Sequence, residues 1–434
     1  MRSNLLSLFA FVTAALVPAP VLYAQTQSAP FVLRLDMQGN KDRNFNNGSY
    51  SVLVNIRPDR VVYANNFLVE SASTKTYLSG HISTITSPVV SKPFVVSLEE
   101  NRLNLPYGAP DGFVELDPRA QAFTRFENFS SVLTTNNSVA LFGAAVRSES
   151  EFYPFSSRLT NVGHLDNSYR EGGTFLMLDC ANCRIKSVDA NANFQAGVLE
   201  SYTPEISYKV FSSQLNGASV VVGTDVVQKL NDPIARIYQD NVFVAATTRA
   251  SATDFIRDGG LTLAKFDRAG KLVAEFGSNG KASIPITSGK FTPQTIAFQG
   301  NAIYVGGKLG EKGLAVIKLK ADGTLDESFG GDGISVKYMV GSNIQYGDLV
   351  VGPLGVYISG SYGKAAFVTK LNPDGSYDQS WGVVGTMECS DLSDWFGSSI
   401  PIDKVEQMTP FKIALVGSGI SQRIVVAGNA QVRR

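Results

Sequence analysis

The sequence predicts an all-β fold assembled from repeated units of four short strands. Three observations lead there: a composition suited to strands and tight turns, a turn motif that recurs at fixed offsets, and two chain ends that each carry part of one unit. The 434 residues include 40 Gly, 26 Phe and 16 Tyr, and runs of strong helix formers are nearly absent. That balance favours many short strands joined by tight turns.

The repeat is clearest in Leu314-Ala-Val-Ile-Lys-Leu319, followed by Lys-Ala-Asp-Gly-Thr-Leu-Asp-Glu-Ser-Phe-Gly-Gly-Asp-Gly333. Counted from the last apolar residue of the strand, Leu319, a Gly follows at four, an Asp at seven and an aromatic residue at ten. From Leu371 the same offsets give Gly375, Asp378 and Trp381; from Leu35, Gly39, Asp42 and Phe45; from Leu159, Gly163, Asp166 and Tyr169. From Phe266 they give Gly270 and Phe276, with Val273 in place of the Asp. A weaker copy starts at Leu98 and reaches Tyr107 one residue early, without the Gly or the Asp. A basic residue precedes each good anchor: Arg34, Arg158, Lys265, Lys318 and Lys370.

A second strand ending in small residues lies upstream, as in Ile303-Tyr-Val-Gly-Gly307, Val356-Tyr-Ile-Ser-Gly360, Val139-Ala-Leu-Phe-Gly143, Val242-Phe-Val-Ala-Ala246 and Tyr77-Leu-Ser-Gly80. Before it runs another apolar strand, such as Gln294–Phe298 or Ile234–Ile237, and a fourth follows the aromatic residue, such as Ile334-Ser-Val336. Four short strands in about fifty residues make one blade of a β-propeller. The gap between Tyr169 and Phe276 is about twice the later spacing, which places a degenerate blade between Gly173 and Asp232. Its traces are Ile206–Phe211 and Ala218–Val222, joined through Asn216-Gly217. Six visible copies and one hidden copy give seven four-stranded blades, with six or eight also compatible with the spacing.

Each position of the motif has a structural reason. Gly tolerates positive φ and Asp bonds its own backbone, so Asp-Gly between strands three and four marks a turn. The Asp at offset seven can cap a helical turn and pair with the basic residue before the anchor, as Asp326 with Lys318. Strand Leu314–Leu319 is apolar on both faces apart from Lys318, the pattern of a strand sandwiched between neighbours. The aromatic residue at offset ten is suited to wedge between blades, where a ring buries the most area.

The two ends complete one another. Arg423-Ile-Val-Val-Ala-Gly428 matches a second strand, and Phe31-Val-Leu-Arg-Leu35 matches a third strand with none before it. Joined in space they form one blade and close the ring, which removes open strand edges. Upstream, Arg2, the uncharged apolar stretch Leu5 to Val17, Pro18 and Pro20, and Leu22-Tyr23-Ala24 before Gln25 have the layout of a secretory signal peptide. The apolar stretch is too short to span a bilayer as a helix. The expected division is a signal peptide at 1–24 and a single propeller domain at 25–434. The expected location is the periplasm or the cell exterior, with no transmembrane segment after signal removal.

Leu314 to Gly333 and Ala366 to Gly385 resemble the delta-60 repeat, a bacterial propeller repeat of the form RLNxDGxLDxSFGxxG. The likeness covers most of the chain and is strongest at Leu319 and Leu371. It implies a propeller fold and export, and it implies no catalytic residues. Kelch and WD40 repeats fit less well, since only Gly306-Gly307 suggests kelch and no repeated Trp-Asp ends the strands.

Chemistry is sparse by comparison. Lys plus Arg and Asp plus Glu number 38 each, so no net field recruits nucleic acid or an anionic membrane. The two His, His81 and His164, fall in different blades, and no Gly-x-Ser-x-Gly elbow accompanies them. Cys180, Cys183 and Cys389 leave an odd thiol. The Cys180-Ala-Asn-Cys183 spacing lacks the βαβ context of a redox dithiol and the four ligands of a structural zinc. A structural disulfide suits them, with the pairing open. Asp322, Asp326, Glu327 and Asp332 crowd one loop, and Asp374 with Asp378 repeats the arrangement. No EF-hand pattern is present, so turn formation explains these carboxylates and calcium is the one cofactor they suggest. Asn47, Asn128 and Asn136 match the glycosylation sequon, a chance match in a bacterial export.

Two functions fit. The first is a binding or scaffolding module for a protein or glycan partner, because propellers set variable loops on a rigid ring. The intervals from Phe45 to Tyr107 and from Tyr107 to Tyr169 are longer than the later ones by about nine residues, which points to the loops at Ser83 to Lys92 and Ser148 to Tyr153. The second is an enzyme with a carboxylate or metal site at the channel mouth. It requires acidic groups converging on the axis, whereas Gln294–Phe298 and Ile234–Ile237 carry Arg236 as their only charge.

Overall fold

The computed structural model describes residues 26–433 except 43, 46–50, 54–59, 71–74, 85–90, 100–101, 109–111, 117–122, 124, 135–136, 149–150, 170–171, 177–182, 192–193, 202–206, 215–219, 229, 249–258, 340–343, 384 and 390–404. The expected signal peptide, Cys180, Asn47, Asn136 and the Asn216-Gly217 turn lie outside these residues, as do the side chains of Cys183 and Cys389.

Strands β1 (Thr26–Leu35) and β2 (Ser51–Leu53) pair with each other. A second unit contains β3 (Arg60–Val69), β4 (Thr76–Thr84), β5 (Ser91–Glu99) and the short β6 (Arg102–Leu103) and β7 (Phe113–Glu115). The third contains β8 (Arg125–Leu133), β9 (Val139–Ser148), β10 (Glu151–Leu159) and β11 (Thr174–Leu176), and a single parallel pairing of Ser91 with Arg125 merges these two into one nine-stranded sheet. Four-stranded sheets then follow: β12 (Cys183–Ala190), β13 (Phe194–Ser201), β14 (Ser207–Gln214) and β15 (Val220–Gln228); β16 (Leu230–Tyr238), β17 (Asn241–Thr248), β18 (Leu261–Phe266) and β19 (Lys281–Ile284). Next come β20 (Phe291–Gln299), β21 (Ala302–Leu309), β22 (Gly313–Leu319) and β23 (Ile334–Tyr338), then β24 (Gln345–Gly352), β25 (Gly355–Tyr362), β26 (Ala365–Leu371) and β27 (Thr386–Cys389). Finally β28 (Val405–Val416) and β29 (Arg423–Arg433) return to the first pair in the order β2-β1-β29-β28.

The first strands of successive units touch in the order β3, β8, β12, β16, β20, β24, β28 and back to β3. The fold is a β-propeller. The weak stretch between Gly173 and Asp232 forms the sheet β12 to β15, and the chain ends share a sheet, with β1 and β29 paired from Thr26–Arg433 to Leu35–Ile424. Among the described residues no helix is long and apolar enough to cross a membrane.

The turn motif has one geometry wherever the offsets are intact. The amide of the Asp donates to the carbonyl of the basic residue, at 3.0 Å for Asp326 on Lys318. The aromatic amide donates back to the Asp carbonyl, at 2.9 Å for Phe329 on Asp326. The side chains pair across this loop at 2.7 Å (Arg34–Asp42, Arg158–Asp166 and Lys318–Asp326) and 2.6 Å (Lys370–Asp378). The expected helical turn is a single reverse turn, with the Ser328 amide on Asp326 Oδ1 at 3.3 Å.

Between units the aromatic ring of one lies on the turn glycine of the next. A Cβ on Gly39 would stand 2.9 Å from Trp381, and one on Gly323 3.0 Å from Phe276. On Gly163 it would meet the Gly108 amide at 2.7 Å and Tyr107 at 3.0 Å; on Gly375, the Gly330 amide at 2.7 Å and Phe329 at 3.0 Å. The residue after the ring donates its amide across the same seam, Gly330 to the Asp374 carbonyl and Gly277 to that of Asp322, both at 2.7 Å. At the closing seam Trp381 Nε1 donates to the Met37 carbonyl at 2.9 Å. Phe276 and Phe329 are almost fully buried, and burying such a ring contributes about 2–3 kcal/mol. The partly exposed ion pairs contribute about 1 kcal/mol or less each, so ring packing dominates the seams.

Every first strand shifts register against its second strand by a bulge, for example at Ala64/Asn66 in β3 and Pro293/Thr295 in β20. The small residues ending the second strands make room for it: a Cβ on Gly307 would lie 2.2 Å from the Thr292 carbonyl oxygen. The inner edge of each sheet is an open strand edge, and side chains from adjacent units satisfy its amides. Ser187 and Asp189 accept from the amides of Ala235 and Ile237 at 2.9 and 2.7 Å. Asn429 accepts from the Ala64 amide at 3.0 Å and donates to its carbonyl at 2.6 Å.

Two outcomes follow. Removing 423–434 deletes the second strand of the closing sheet, so the whole ring loses cooperative stability; normal expression, protease resistance and unfolding of the truncated chain would contradict this. Gly375→Ala combines φ of +84° with the 2.7 Å approach and should cost about 2–4 kcal/mol in denaturant unfolding. Gly363→Ala, at φ +55° with nothing within 4 Å, should cost about 1–2 kcal/mol.

Candidate functional site

The register carries one row of rings and charges across the second and third units. Tyr63 of β3 pairs with His81 of β4, and His81 with Pro93 of β5. Ser91 meets Arg125 of β8, Arg125 pairs with Val146 of β9, and Val146 with Phe152 of β10. The row stands where the first strands begin, at the end of the sheet where connections 85–90 and 149–150 join their strands. These connections lie outside the described residues, while the strand ends flanking them carry the side chains below. The long loop expected at Ser148 to Tyr153 is not found, since β9 and β10 pair as far as Ser148–Glu151 and the added residues lengthen the strands instead.

Tyr63, 41% exposed, stacks on His81 with ring centroids 5.3 Å apart and planes at 30°. Burial, and then the nearby Arg125 cation, holds the His81 pKa below its ordinary 6.5. Arg60 Nη1 donates to both oxygens of Glu115 at 2.7 and 2.8 Å, and Lys92 stands 3.6 Å from the same carboxylate. Arg125 pairs with Glu127 at 2.9 Å. On the opposite face of the sheet, which Phe126 and Tyr153 share, the guanidinium carbon of Arg147 lies 5.3 Å from the Phe123 ring centroid and 5.2 Å from that of Tyr153.

Glu115 also lines a cleft of about 370 Å³ between the second and third units, with Gly108, Phe113, Gly163, His164 and Leu165. The cleft lies where the copy starting at Leu98 is a residue short and lacks its turn glycine. His164 follows the turn between the third and fourth strands of its unit, as its sequence position implies, and its amide donates to Thr160 Oγ1 at 3.1 Å. His81 and His164 therefore sit on different units.

The acidic turns are occupied by their own loops. Asp322 and Asp374 accept from the amides of Thr324 and Ser376 at 2.9 Å. The Lys318 contact, and after it Ser328, brings the Asp326 carboxyl down to about 2, and Lys370 and then Ser380 lower Asp378 in the same way. Glu327 is exposed, and Asp332 accepts the Ile334 amide at 3.0 Å. Among the described residues no three His, Cys, Asp or Glu side chains come together as a metal site.

The inner strands are more charged than Gln294–Phe298 and Ile234–Ile237 imply. Besides Arg236, which donates to the Ala235 carbonyl at 3.3 Å, they carry Arg60, Arg125, Lys186, Asp189, Asp348 and Lys412. Most of these bind across strands. Asp348 accepts from Thr295 Oγ1 at 2.6 Å and from Lys412 at 3.0 Å, and Lys186 reaches Glu200 at 3.2 Å.

No protein-family model matches the chain, and no curated protein matches it. Among solved structures it is similar to the cobalt-substituted apocarotenoid oxygenase of Synechocystis, at 12% identity over 71% of this chain and 70% of that one, TM-score 0.41. It is also similar to the Trypanosoma rangeli sialidase, at 8% identity over 92% and 59%, TM-score 0.39. A third is the β-propeller domain of the Trilobed protease from Pyrococcus furiosus, at 8% identity over 70% and 82%, TM-score 0.40. Identities of this order carry no functional inference.

Because His81 is held below 6.5, folding favours its neutral form, and the unfolded chain takes up the proton first as pH falls. Its contribution to stability is full above about pH 6.5 and is lost below that value. In an NMR titration Arg125→Met should move the His81 midpoint upward; an unchanged midpoint would remove Arg125 as a cause.

Proposed function

We propose that this chain is an exported β-propeller acting as a binding or scaffolding module, in the periplasm or outside the cell, for a protein or glycan partner. The signal-like leader and the likeness to the delta-60 repeat support export. The observation that supports the binding role is the rim row of Tyr63, His81 and Arg125, at the end of the second and third units where β4 joins β5 and β9 joins β10, with the exposed Arg147 on the other face of the same sheet. Seams built on buried rings hold that rim on a rigid frame, the arrangement that suits recognition. The alternative, a carboxylate or metal site at the channel mouth, requires acidic groups free to act; Asp348 and Glu200 instead bind lysines and hydroxyls.

Two measurements test the reading. With labelled mature chain on printed glycans and purified envelope proteins, a saturable signal is expected. The double variant Tyr63→Ala, Arg125→Glu should weaken it at least tenfold, while Leu354→Asp, on a turn remote from the rim, should not. A signal indifferent to the rim variant would overturn the assignment. In thermal melts, EDTA or millimolar calcium should shift the midpoint by less than about 2 °C, since only an ion bound to the native state raises it. A larger calcium-dependent rise would make the acidic turns ligands.

A further inference from the structure

We propose that Lys337 is a covalent capture site for small aldehydes, its side-chain amine condensing with them to an imine at the seam between the β20–β23 and β24–β27 sheets. The repeat makes successive seams directly comparable. At the preceding seam Ala282 and Ile284 of β19 share one apolar cluster with Ile317, Leu325 and Ile334 of the next sheet. The same places here hold Ser335 and Lys337 of β23, opposite Thr369, Tyr377 and Thr386. Register fixes the equivalence. Ile284 pairs with Leu261 as Lys337 does with Leu314, and Ile334 pairs with Ile317 as Thr386 does with Thr369. Leu325 bridges Leu319 as Tyr377 bridges Leu371. Apolar side chains are thus exchanged together for polar ones at a single place in the ring.

Packing alone would keep such a seam apolar, because burying an amine and hydroxyls costs free energy that only hydrogen bonds recover. Here those bonds suit a neutral amine. Lys337 Nζ donates to Thr369 Oγ1 at 3.1 Å and to Thr386 Oγ1. Thr386 Oγ1 donates in turn to Thr369 Oγ1 at 3.2 Å, and Thr369 Oγ1 to the Gly385 carbonyl at 2.8 Å. Both threonines are buried, and each hydroxyl hydrogen is already placed, so toward the amine they can only accept. Two acceptors match the two N–H bonds of a neutral amine and leave its lone pair free, while no hydroxyl hydrogen remains for an anion. The titratable groups facing Nζ are Tyr377, whose ring centroid is 4.9 Å away, and Glu388 of β27. Burial pulls the amine below its usual 10.5, and the Glu388 carboxylate opposes that pull without reversing it. Burial also raises the Tyr377 phenol, which stays neutral. A lysine desolvated in this way is a nucleophile at lower pH than a surface lysine. Its lone pair attacks the aldehyde carbon; as the C=N bond forms, the carbonyl oxygen leaves as water with both amine hydrogens.

The test is reductive trapping on the mature chain with propionaldehyde and cyanoborohydride, each lysine being followed by peptide mass mapping across a pH series. Near neutral pH, Lys337 should be alkylated roughly tenfold faster than the exposed Lys320. The advantage should narrow as pH rises into the range where surface amines also lose their protons. Lys337→Ile, which copies Ile284, should abolish the fast site without lowering the melting midpoint. Trapping of Lys337 no faster than that of Lys320 overturns the proposal, and the wild-type map alone decides this. Protection of Lys337 from the reagent, with a lower melting midpoint in Lys337→Ile, makes the side chain a structural tie and also overturns it.

Discussion

The structure depends on a ring resting on a glycine. Trp381 on Gly39, Tyr107 on Gly163, Phe276 on Gly323 and Phe329 on Gly375 each join one unit to the next. The contact is possible only because a turn at positive φ presents a bare Cα to the ring face. Around it the rest falls into place. The second-strand ring meets the seam ring edge-on, as Tyr304 does Phe329 at 5.9 Å and 82°. The basic residue lies beside both rings, with Lys318 Nζ 5.7 Å from Tyr304 and 5.9 Å from Phe329, while it holds the turn Asp. One side chain therefore fixes the loop to the ring that the next unit needs. At Phe266 the Asp is replaced by Val273, yet Lys265 still lies over Phe243 at 5.7 Å and Phe276 still reaches Gly323. The ring contact survives without the ion pair, in keeping with their relative energies.

Where the motif fails, the seam is built differently. At the seam of the sheet β12 to β15, the backbone of Gly223 rather than a ring approaches the turn glycine Gly270 among the described residues, near enough that a Cβ on Gly223 would meet the Gly270 carbonyl oxygen at 2.3 Å. In the second unit the shortened copy still supplies Tyr107 but leaves a cleft beside Glu115. Recognition is assigned to this same irregular part of the ring. Repeated seams leave little room for variation, and the second unit, where the motif departs from the rest, provides it.

Much of this was legible in the sequence because the motif is local. Asp326 with Lys318, the turn glycines and the paired chain ends all follow from offsets within a few residues or from a missing strand. The bulges of the first strands were not legible, since a register shift is set by the partner strand. Gly307 and Gly360 marked the small second-strand ends without revealing that a neighbouring carbonyl required them. The inner-strand charges were misread from two apolar examples, because Asp348 and Lys412 are some sixty residues apart and meet only across a seam. The contacts of Arg147 were equally hidden: Phe123 precedes β8 while Arg147 and Tyr153 lie on β9 and β10, and only the pairing of these strands brings the three together.

The central claim is that the ring is one cooperative body closed by its terminal sheet. Native-state hydrogen exchange on the full chain tests it most directly. Backbone amides of β1 and β29, from Phe31 to Leu33 and from Val425 to Gly428, should exchange as slowly as those of β22 and β26 and with the same denaturant dependence. Exchange in the terminal ladder through a separate, lower-energy opening, with β22 and β26 still protected, would contradict it.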